Sequence, residues 1–204
     1  MLVKICGITR VEDALAAARG AQAIGFVFWP SSPRFIDPFR ARAIAASLPP
    51  FVTAVGVFVN QPADYVNQVA RLVRLGAVQL HGDEGASYAS AINRPVIKAV
   101  SVGDDGSEPI AAAWPSHVTL LLDALDSVKR GGTGRIIDWT RAASIAAARR
   151  VMLAGGLTPE NVVGAIRAVR PFGIDVSSGV ERSPGVKDHA RLDALFEAVA
   201  GEQP

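Results

Sequence analysis

One pattern repeats along almost the whole sequence: a short apolar, β-branched run followed by an alanine-rich segment with helical periodicity. This alternation is typical of βα units that build a parallel sheet. Eight such runs can be counted, and each predicts one strand. The predicted strands are Leu2 to Cys6, Ala23 to Phe28, Val52 to Phe58, Ala77 to His81, Val96 to Val100, Val118 to Asp123, Val151 to Ala154 and Gly173 to Val176.

Residues that favour helix starts stand between these strands. Thr9-Arg10-Val11-Glu12 has the spacing of a capping box, and Asp37 and Thr158 each precede a proline, which suits the first position of a helix. Gln61, also followed by proline, opens the third predicted helix in a similar way. The segment from Gly103 to Trp114 is rich in turn residues, so the fifth unit has room for only a short helix.

Polar residues at the strand ends help to distinguish a closed barrel from an open doubly wound sheet, since both show this alternation. An open sheet gathers its functional groups at one switch point, whereas a barrel collects them from loops all around the ring. The residues at or just beyond the carboxyl ends of different predicted strands are Cys6, His81, Asp123, Gly155 and Ser177. The sequence therefore predicts an α/β fold, a single (β/α)8 TIM barrel over residues 1–204, with no linker that would mark a second domain.

Composition narrows the classes of protein that the chain can belong to. Half of its 204 residues are apolar, so it can bury a substantial core without disulfides. Cys6 is the only cysteine, which argues against a disulfide framework and favours the reducing cytoplasm. No stretch has the roughly 18 apolar residues of a spanning helix, and the N-terminus does not resemble a signal peptide, so no membrane partner is expected.

The charge pattern argues against nucleic acid as a partner. The net charge of +2 comes from interspersed acidic and basic residues, and only 6% of the residues are aromatic. A small positive excess is compatible with an anionic small molecule. The oligomeric state stays open between monomer and homodimer.

Three glycine-rich turns follow the last three predicted strands: Gly131 to Gly134, Ala154 to Leu157, and Ser177 to Gly179. Glycine lets backbone N–H groups approach an anion, and the loops after strands seven and eight are where barrels frequently hold a phosphate. The alternative is that each glycine only serves a tight turn. Neither a Walker loop nor a dinucleotide fingerprint is present.

Cys6 and Asp123 are the candidates for proton transfer. Cys6 ends the first strand shortly before the predicted helix start at Thr9, a setting that lowers the pKa of a thiol, although spacing alone favours an inert buried thiol over a catalytic one. Asp123 ends an almost wholly apolar strand, where a carboxylate is costly unless it meets water, a partner or a substrate. Asp126, three residues further on, is the alternative acid or a solvated loop residue.

Other polar residues allow more than one interpretation. Gln79 and His81 share one face of the fourth strand because side chains alternate, and a lone histidine there is more often a hydrogen-bonded structural residue than a metal ligand. The chain has only three histidines and no close ligand spacing, so no metal site is predicted. Arg34, in the loop after strand two, is either a solvated charge or a clamp for a carboxylate.

Lys4-Ile5-Cys6-Gly7-Ile8-Thr9 resembles the N-terminal signature of the phosphoribosylanthranilate isomerase family of tryptophan biosynthesis. Further blocks resemble those of the same family, in the same order, over essentially the whole chain. They are Gly25-Phe26-Val27-Phe28, Ser32-Pro33-Arg34, Gly56-Val57-Phe58, Val78-Gln79-Leu80-His81-Gly82, Leu121-Leu122-Asp123, Gly131-Gly132-Thr133-Gly134, Leu153-Ala154-Gly155-Gly156-Leu157 and Asp175-Val176-Ser177-Ser178-Gly179-Val180-Glu181.

This resemblance implies an Amadori rearrangement of N-(5-phosphoribosyl)anthranilate, an aminoaldose, to 1-(2-carboxyphenylamino)-1-deoxyribulose 5-phosphate, an aminoketose. The family's acid maps onto Asp123, which would protonate the furanose ring oxygen, and its base maps onto Cys6, which would remove the proton from C2 of the sugar. Arg34 would bind the anthranilate carboxylate, and His81 and Asp175 would line the pocket. The phosphate contacts would be Gly155, Gly156, Ser178 and Gly179. No metal and no redox cofactor is implied.

Three rival functions are weighed against this one. The isomerase of histidine biosynthesis and its dual-substrate relatives resemble one another in placing aspartate where Cys6 stands here. A pentulose-phosphate epimerase would show metal-binding histidines at several strand ends. A non-catalytic phosphoribosyl-binding barrel would need neither Cys6 nor Asp123.

Overall fold

The computed structural model describes residues 1–103, 111–124 and 138–202, and in it eight parallel strands close into a barrel in chain order. Closure joins the first strand to the last, because Leu2 lies opposite Gly173 and Ile5 opposite Val176 in a parallel ladder. The predicted (β/α)8 TIM barrel is confirmed. The open doubly wound sheet is excluded, since that sheet has two free edges and this one has none.

The strands are β1 (Leu2–Cys6), β2 (Ala23–Val27), β3 (Thr53–Phe58), β4 (Ala77–Leu80), β5 (Val96–Val102), β6 (Thr119–Ala124), β7 (Val151–Leu153) and β8 (Gly173–Val176). The helices within the described ranges are α1 (Val11–Ala17), α2 (Pro38–Ala45), α3 (Ala63–Val73), α4 (Ala86–Ala89), α5 (Trp139–Ala148), α6 (Val162–Val169) and α7 (His189–Ala200). Every predicted strand is present, and its ends differ from the prediction by at most two residues.

Alternation along the strands divides their side chains between two layers. Outward side chains such as Ile5, Phe26 and Leu80 are fully buried under the helices in the main core, where each contributes about 1.5–3 kcal/mol. Inward side chains form three small clusters stacked inside the barrel. They are Cys6 with Val27 and Val57, Ala23 with Val55 and Ala77, and Leu121 with Met152 and Ala154. Cys6 therefore belongs to the layer nearest the carboxyl ends of the strands.

One predicted helix start is correct, and a second is displaced by one residue and lacks its predicted cap. The Asp37 carboxylate accepts hydrogen bonds from the N–H groups of Phe39 and Arg40, which caps α2 with proline at its first position. Helix α3 begins at Ala63, directly after Pro62.

The two other predicted caps are wrong. The hydroxyl of Thr9 donates to the carbonyl of Gly185 instead of capping α1, which begins at Val11 without a side-chain cap. Helix α6 begins only at Val162, so Thr158 lies in the turn before it. In the first case a contact distant in sequence takes the capping hydroxyl, which local spacing cannot reveal.

A short hairpin follows the last barrel strand. After a 3-10 helix at Ser178–Val180, strands β9 (Glu181–Ser183) and β10 (Val186–Lys187) pair in antiparallel fashion around Gly185, whose φ is +79°. Lys187 donates to the carbonyl of Ser177 over 3.1 Å. The hairpin thus lies against the carboxyl end of the barrel.

Three sequence predictions fall on residues that the structure does not describe. These are the glycine turn at 131–134, the alternative acid Asp126, and most of the short helix in the fifth unit. Over the described residues, none of the helices combines the length and the apolar character needed to cross a membrane.

Candidate active site

The predicted site residues lie together at the carboxyl end of the barrel. Cys6 ends β1, His81 follows β4, and Asp123 is the penultimate residue of β6. Cys6 and Asp123 are buried, each with 7% of its surface exposed. Strand geometry alone brings these groups to one mouth, because all the strands are parallel and their carboxyl ends lie at the same end of the barrel.

The Cys6 thiol packs closely against the neighbouring strand β2. A Cβ added at Gly25 on the neighbouring strand would lie 2.7 Å from the Cys6 sulfur, so glycine makes the room that the thiol occupies. Burial raises the pKa of Cys6, and the nearby Asp175 carboxylate adds to that rise, while Lys4 opposes it. The expected lowering of this pKa by a helix terminus is therefore wrong: the thiol faces the barrel interior, not the start of α1.

Asp123 takes part in a chain of polar contacts that crosses the barrel mouth. Its Oδ2 lies 3.3 Å from Nε2 of His81, and the Gln79 amide lies 2.9 Å from Nδ1 of the same ring. When the amide donates to Nδ1, the neutral imidazole carries its proton on Nε2, facing the carboxyl group. The chain Gln79 to His81 to Asp123 thus fixes both the ring and the carboxyl group.

The backbone holds the other oxygen of Asp123. Oδ1 accepts a hydrogen bond from the N–H of Ala124 over 2.8 Å. Gly155 lies against this group with φ +82°, and a Cβ there would come within 2.8 Å of the Ala124 nitrogen. A glycine is required at this position, both for the conformation and for the close approach of the loop after β7 to the end of β6.

Arg34 is not a solvated surface charge. It is 8% exposed, and its Nε and Nη2 donate to both carboxylate oxygens of Glu181, with the shortest distance 2.7 Å. Lys187 also donates to Glu181 over 2.9 Å. Burial opposes ionisation of Glu181, but the hydrogen bonds from Arg34 and Lys187 outweigh it and lower the pKa of this carboxyl group. Arg34 is thereby held at the mouth in one orientation.

The two described glycine turns touch one another. Gly155 and Gly156 both have positive φ, at +82° and +65°. A Cβ at Gly179 would overlap the carbonyl oxygen of Leu157, so the turn after β8 packs directly on the turn after β7. Within the described ranges, the N–H groups of Gly155, Gly156, Ser178 and Gly179 donate no hydrogen bond outside regular elements. These donors belong to two turns that are in contact, and unpaired N–H groups of this kind suit an anion.

Asp175 lies on β8 directly opposite Lys4 of β1, and its Oδ2 accepts a hydrogen bond from the Lys4 ammonium over 2.8 Å. Its Oδ1 is buried without a hydrogen-bond partner in the part of the chain that is described. Asp175 is thus part of the inner wall two residues deeper than the Cys6 layer, next to the residues at the mouth.

Four residues of the site were missed by the sequence analysis as functional candidates: Lys4, Gln79, Glu181 and Lys187. For Lys4 a signal exists, because a lysine two residues before Cys6 in an otherwise apolar strand must point into the barrel with it. Glu181 stands at the end of the resembling block that begins at Asp175, but neither it nor Lys187 has a local pattern that predicts its position, since the hairpin that brings them to the mouth has no periodicity of its own. Among the described residues, no group of three or more histidine, cysteine or carboxylate side chains could hold a metal ion.

Fold and site together define the class of the protein as a (β/α)8-barrel enzyme. A thiol and a carboxyl group at the ends of different strands provide partners for proton transfer, and a neighbouring array of free N–H groups provides a place for an anion.

Comparison with known proteins defines the family. The family model described as "N-(5'phosphoribosyl)anthranilate (PRA) isomerase" matches residues 3–198. The N-(5'-phosphoribosyl)anthranilate isomerase of Pelobacter propionicus is 49% identical over 192 residues, which cover 93% of this chain and 91% of that protein. The chain therefore belongs to the phosphoribosylanthranilate isomerase family, whose members are isomerases of tryptophan biosynthesis.

Two solved structures of this family extend the comparison. A phosphoribosylanthranilate isomerase in complex with reduced 1-(o-carboxyphenylamino)-1-deoxyribulose 5-phosphate is 43% identical, with a TM-score of 0.88 over 99% of this chain and 100% of that one. A monomeric form generated from the dimeric Thermotoga maritima enzyme is 41% identical, with a TM-score of 0.89 over 99% and 100% of the two chains.

Proposed function

We propose that this isomerase converts N-(5'-phosphoribosyl)anthranilate to its aminoketose with Asp123 as general acid and Cys6 as general base. The observation that carries this assignment is the position of the two groups, which close β6 and β1 at one barrel mouth. Asp123 gives a proton to the furanose ring oxygen, and the ring opens to an iminium. The Cys6 thiolate then removes the C2 proton, and the resulting enolamine tautomerises to the ketone. Each step moves protons between these groups and the sugar, so no cofactor is invoked.

His81 supports the acid in this scheme. Once Asp123 has lost its proton, the resulting carboxylate faces Nε2 of His81 at 3.3 Å and keeps the Ala124 N–H on its other oxygen. Both contacts stabilise the negative charge that the transfer creates. Gln79 keeps the imidazole in the tautomer that can donate.

Arg34 binds the anthranilate carboxylate in the proposed complex. Glu181 occupies its Nε and Nη2, while Nη1 has no partner within the described part of the chain. A guanidinium clamped on one side can offer its remaining donors to a second carboxylate in a fixed direction. Asp175 and His81 line the same pocket.

The fluorescence of the substrate provides the direct test of the proposed function. Purified protein is expected to remove the fluorescence of freshly made phosphoribosylanthranilate in a catalysed reaction. Turnover no faster than the buffer background would favour a non-catalytic binding barrel instead.

The single phosphate of the substrate binds the paired glycine turns in this proposal, through Gly155, Gly156, Ser178 and Gly179. Replacing Gly156 by leucine is expected to raise KM by about 10–100-fold, the loss of one or two charge-assisted hydrogen bonds, with a smaller effect on kcat. The phosphate is bound alike in ground and transition states, so its loss falls mainly on KM. Steady-state kinetics measure both constants, and inorganic phosphate should compete weakly with substrate. An unchanged KM would place the phosphate elsewhere.

We further propose that residues 1–204 act as one catalytic domain in the cytoplasm. The family match spans residues 3–198, and the closed barrel uses strands from both ends of that range. A thiol that serves as base must stay reduced, which suits a reducing compartment.

The proposed assembly is a homodimer formed through the amino end of the barrel. A cavity of about 800 Å³ opens there, lined by apolar side chains such as Val55 and Met152 and by polar ones such as His117. Phe51 lies at its rim and is 94% exposed. An exposed aromatic side chain beside a cavity allows a two-fold interface, in which Phe51 of each copy enters the cavity of the other. The Thermotoga maritima relative, which is described as dimeric, supports a dimer.

Replacing Phe51 by serine is expected to weaken the dimer by at least about 30-fold, the loss of about 2 kcal/mol typical of a central aromatic contact. Sedimentation equilibrium measures the dissociation constant. Phe39→Ser is the matched control, because Phe39 is 69% exposed on α2 near the opposite end of the barrel. Equal effects of the two substitutions would refute the proposed interface.

A further inference from the structure

We propose that Lys4 is a positioning residue for Cys6: its buried ammonium holds the thiol ready to ionise, and Asp175 sets how strongly it does so. This inference rests on the proposed role of Cys6 as base. It assigns a function to a charge pair inside the barrel that neither phosphate binding nor the acid requires.

Strand geometry brings the three groups together. Lys4 and Cys6 lie two residues apart on β1, so both side chains point into the barrel. Asp175 is the register partner of Lys4 on β8, and its carboxylate receives the ammonium at 2.8 Å. The Lys4 side chain has no exposed surface, which is exceptional for a lysine and demands compensation by nearby anions.

The charges buried around Cys6 are unbalanced in a way that a thiolate would correct. The charged groups that act on the thiol are the cations Lys4 and Lys187 and the anion Asp175. Two positive charges against one negative charge leave an excess of one positive charge while Cys6 is a neutral thiol. The neighbours of Cys6 on β2 and β3 are Gly25, Val27 and Val57, which carry no charge. Ionisation of Cys6 neutralises the cluster.

A purely structural role explains this arrangement less well. A buried ion pair is weak evidence for stability, because apolar residues of similar volume often stabilise a core as much or more. Asp175 moreover leaves its Oδ1 buried without a partner in the described chain, so the pair is incompletely satisfied as a structural device. Next to a thiol that must ionise, the Lys4–Asp175 pair has a function. The Lys4 ammonium favours the thiolate form of Cys6, and the Asp175 carboxylate limits that effect.

The directions of the pKa shifts agree with this arrangement. Burial raises the pKa of Cys6, attraction to Lys4 lowers it, and Asp175 and Lys187 act in opposite senses. Burial opposes the charge on Lys4, but attraction to Asp175 and Cys6 outweighs it and raises the pKa of the ammonium, so Lys4 stays charged. Lys4 is the largest influence that opposes burial at the thiol.

The test uses the free enzyme, because Cys6 is the only cysteine and every thiol signal reports on it. The pKa of Cys6 is measured from the pH dependence of thiolate absorbance and of the iodoacetamide alkylation rate. Lys4→Met is expected to raise this pKa by at least one unit, which slows alkylation at neutral pH about tenfold. Asp175→Asn is expected to lower it and to speed alkylation. Lys4→Arg, which retains the charge, should stay close to the wild type.

Opposite shifts in the two variants separate this role from a structural one. Loss of a purely structural ion pair would lower the melting temperature in both variants. The Cys6 pKa would then change in neither variant, or in the same direction in both. Either result would overturn the proposal. If Lys4→Met does not fold, Asp175→Asn decides alone: a Cys6 pKa that fails to fall contradicts the inference. Because these readouts need no substrate, they stand apart from the turnover assay that tests the proposed function.

Discussion

Replacing Cys6 by serine is expected to lower kcat by about two to four orders of magnitude, the usual contribution of a general base. An alcohol ionises far less readily than a thiol of ordinary pKa ~8.5, while serine keeps nearly the shape of the side chain. The tight contact with Gly25 can accept the smaller oxygen, so the fold and the binding of a product analogue should be retained. Rapid-quench and steady-state kinetics give kcat, and calorimetry gives binding.

The wild-type enzyme supplies the control for this substitution. Iodoacetamide should inactivate it, substrate should protect it, and the serine variant should be unaffected by the reagent. Because burial raises the pKa of Cys6, the thiolate fraction grows with pH, and the acidic limb of kcat/KM should lie at higher pH than for an exposed cysteine. A serine variant with near wild-type kcat would remove Cys6 from the mechanism and direct the search for the base to Asp175 or His81.

Asp123→Asn is expected to reduce kcat by at least as much, about 10²–10⁴-fold, because an amide has no proton of suitable acidity for the ring oxygen. The substitution also disturbs the polar chain at the mouth. Asparagine can still accept from the Ala124 N–H, but its amide then faces the Nε2 proton of His81, donor against donor. His81 must shift its proton to Nδ1, and Gln79 must turn its amide to accept it.

Loss of the acid Asp123 should therefore be distinguishable from loss of the His81 contact that supports it. His81→Asn removes one contact to the carboxyl group and should cost about tenfold in kcat, near the value of a single hydrogen bond. Steady-state kinetics on both variants, with melting temperatures as a control for folding, make the comparison. Equal losses in kcat for the two variants would mean that His81 itself transfers the proton.

The barrel was predictable because its strands are encoded locally. Each apolar run predicts a strand by itself, from the first (Leu2 to Cys6) to the last (Gly173 to Val176). The parallel arrangement follows from the helices between the strands. The position of Cys6 and Asp123 at one end of the barrel follows as well, since each ends a strand of the same ring.

The surroundings of these groups could not be read in the same way. Arg34 looked solvated because its partner Glu181 lies 147 residues away, on a hairpin without a periodic pattern. Thr9 has the local spacing of a helix cap, but its hydroxyl donates to the carbonyl of Gly185, which is distant in sequence. Burial raises the pKa of the Cys6 thiol, and Asp175, which lies on β8 next to β1 where the barrel closes, adds to that rise. Local spacing predicts elements, while contacts distant in sequence determine protonation states.

The closing seam between β1 and β8 has a consequence for the order in which the enzyme matures. Cys6 and Lys4 leave the ribosome first, but their contacts with Ser177 and Asp175 each span 171 residues. We expect such distant contacts to form late in folding, because they require the loss of chain entropy that closing a long loop entails. A nascent or truncated barrel therefore carries an ordinary thiol without its charged surroundings. The chemistry begins only when the ring is complete.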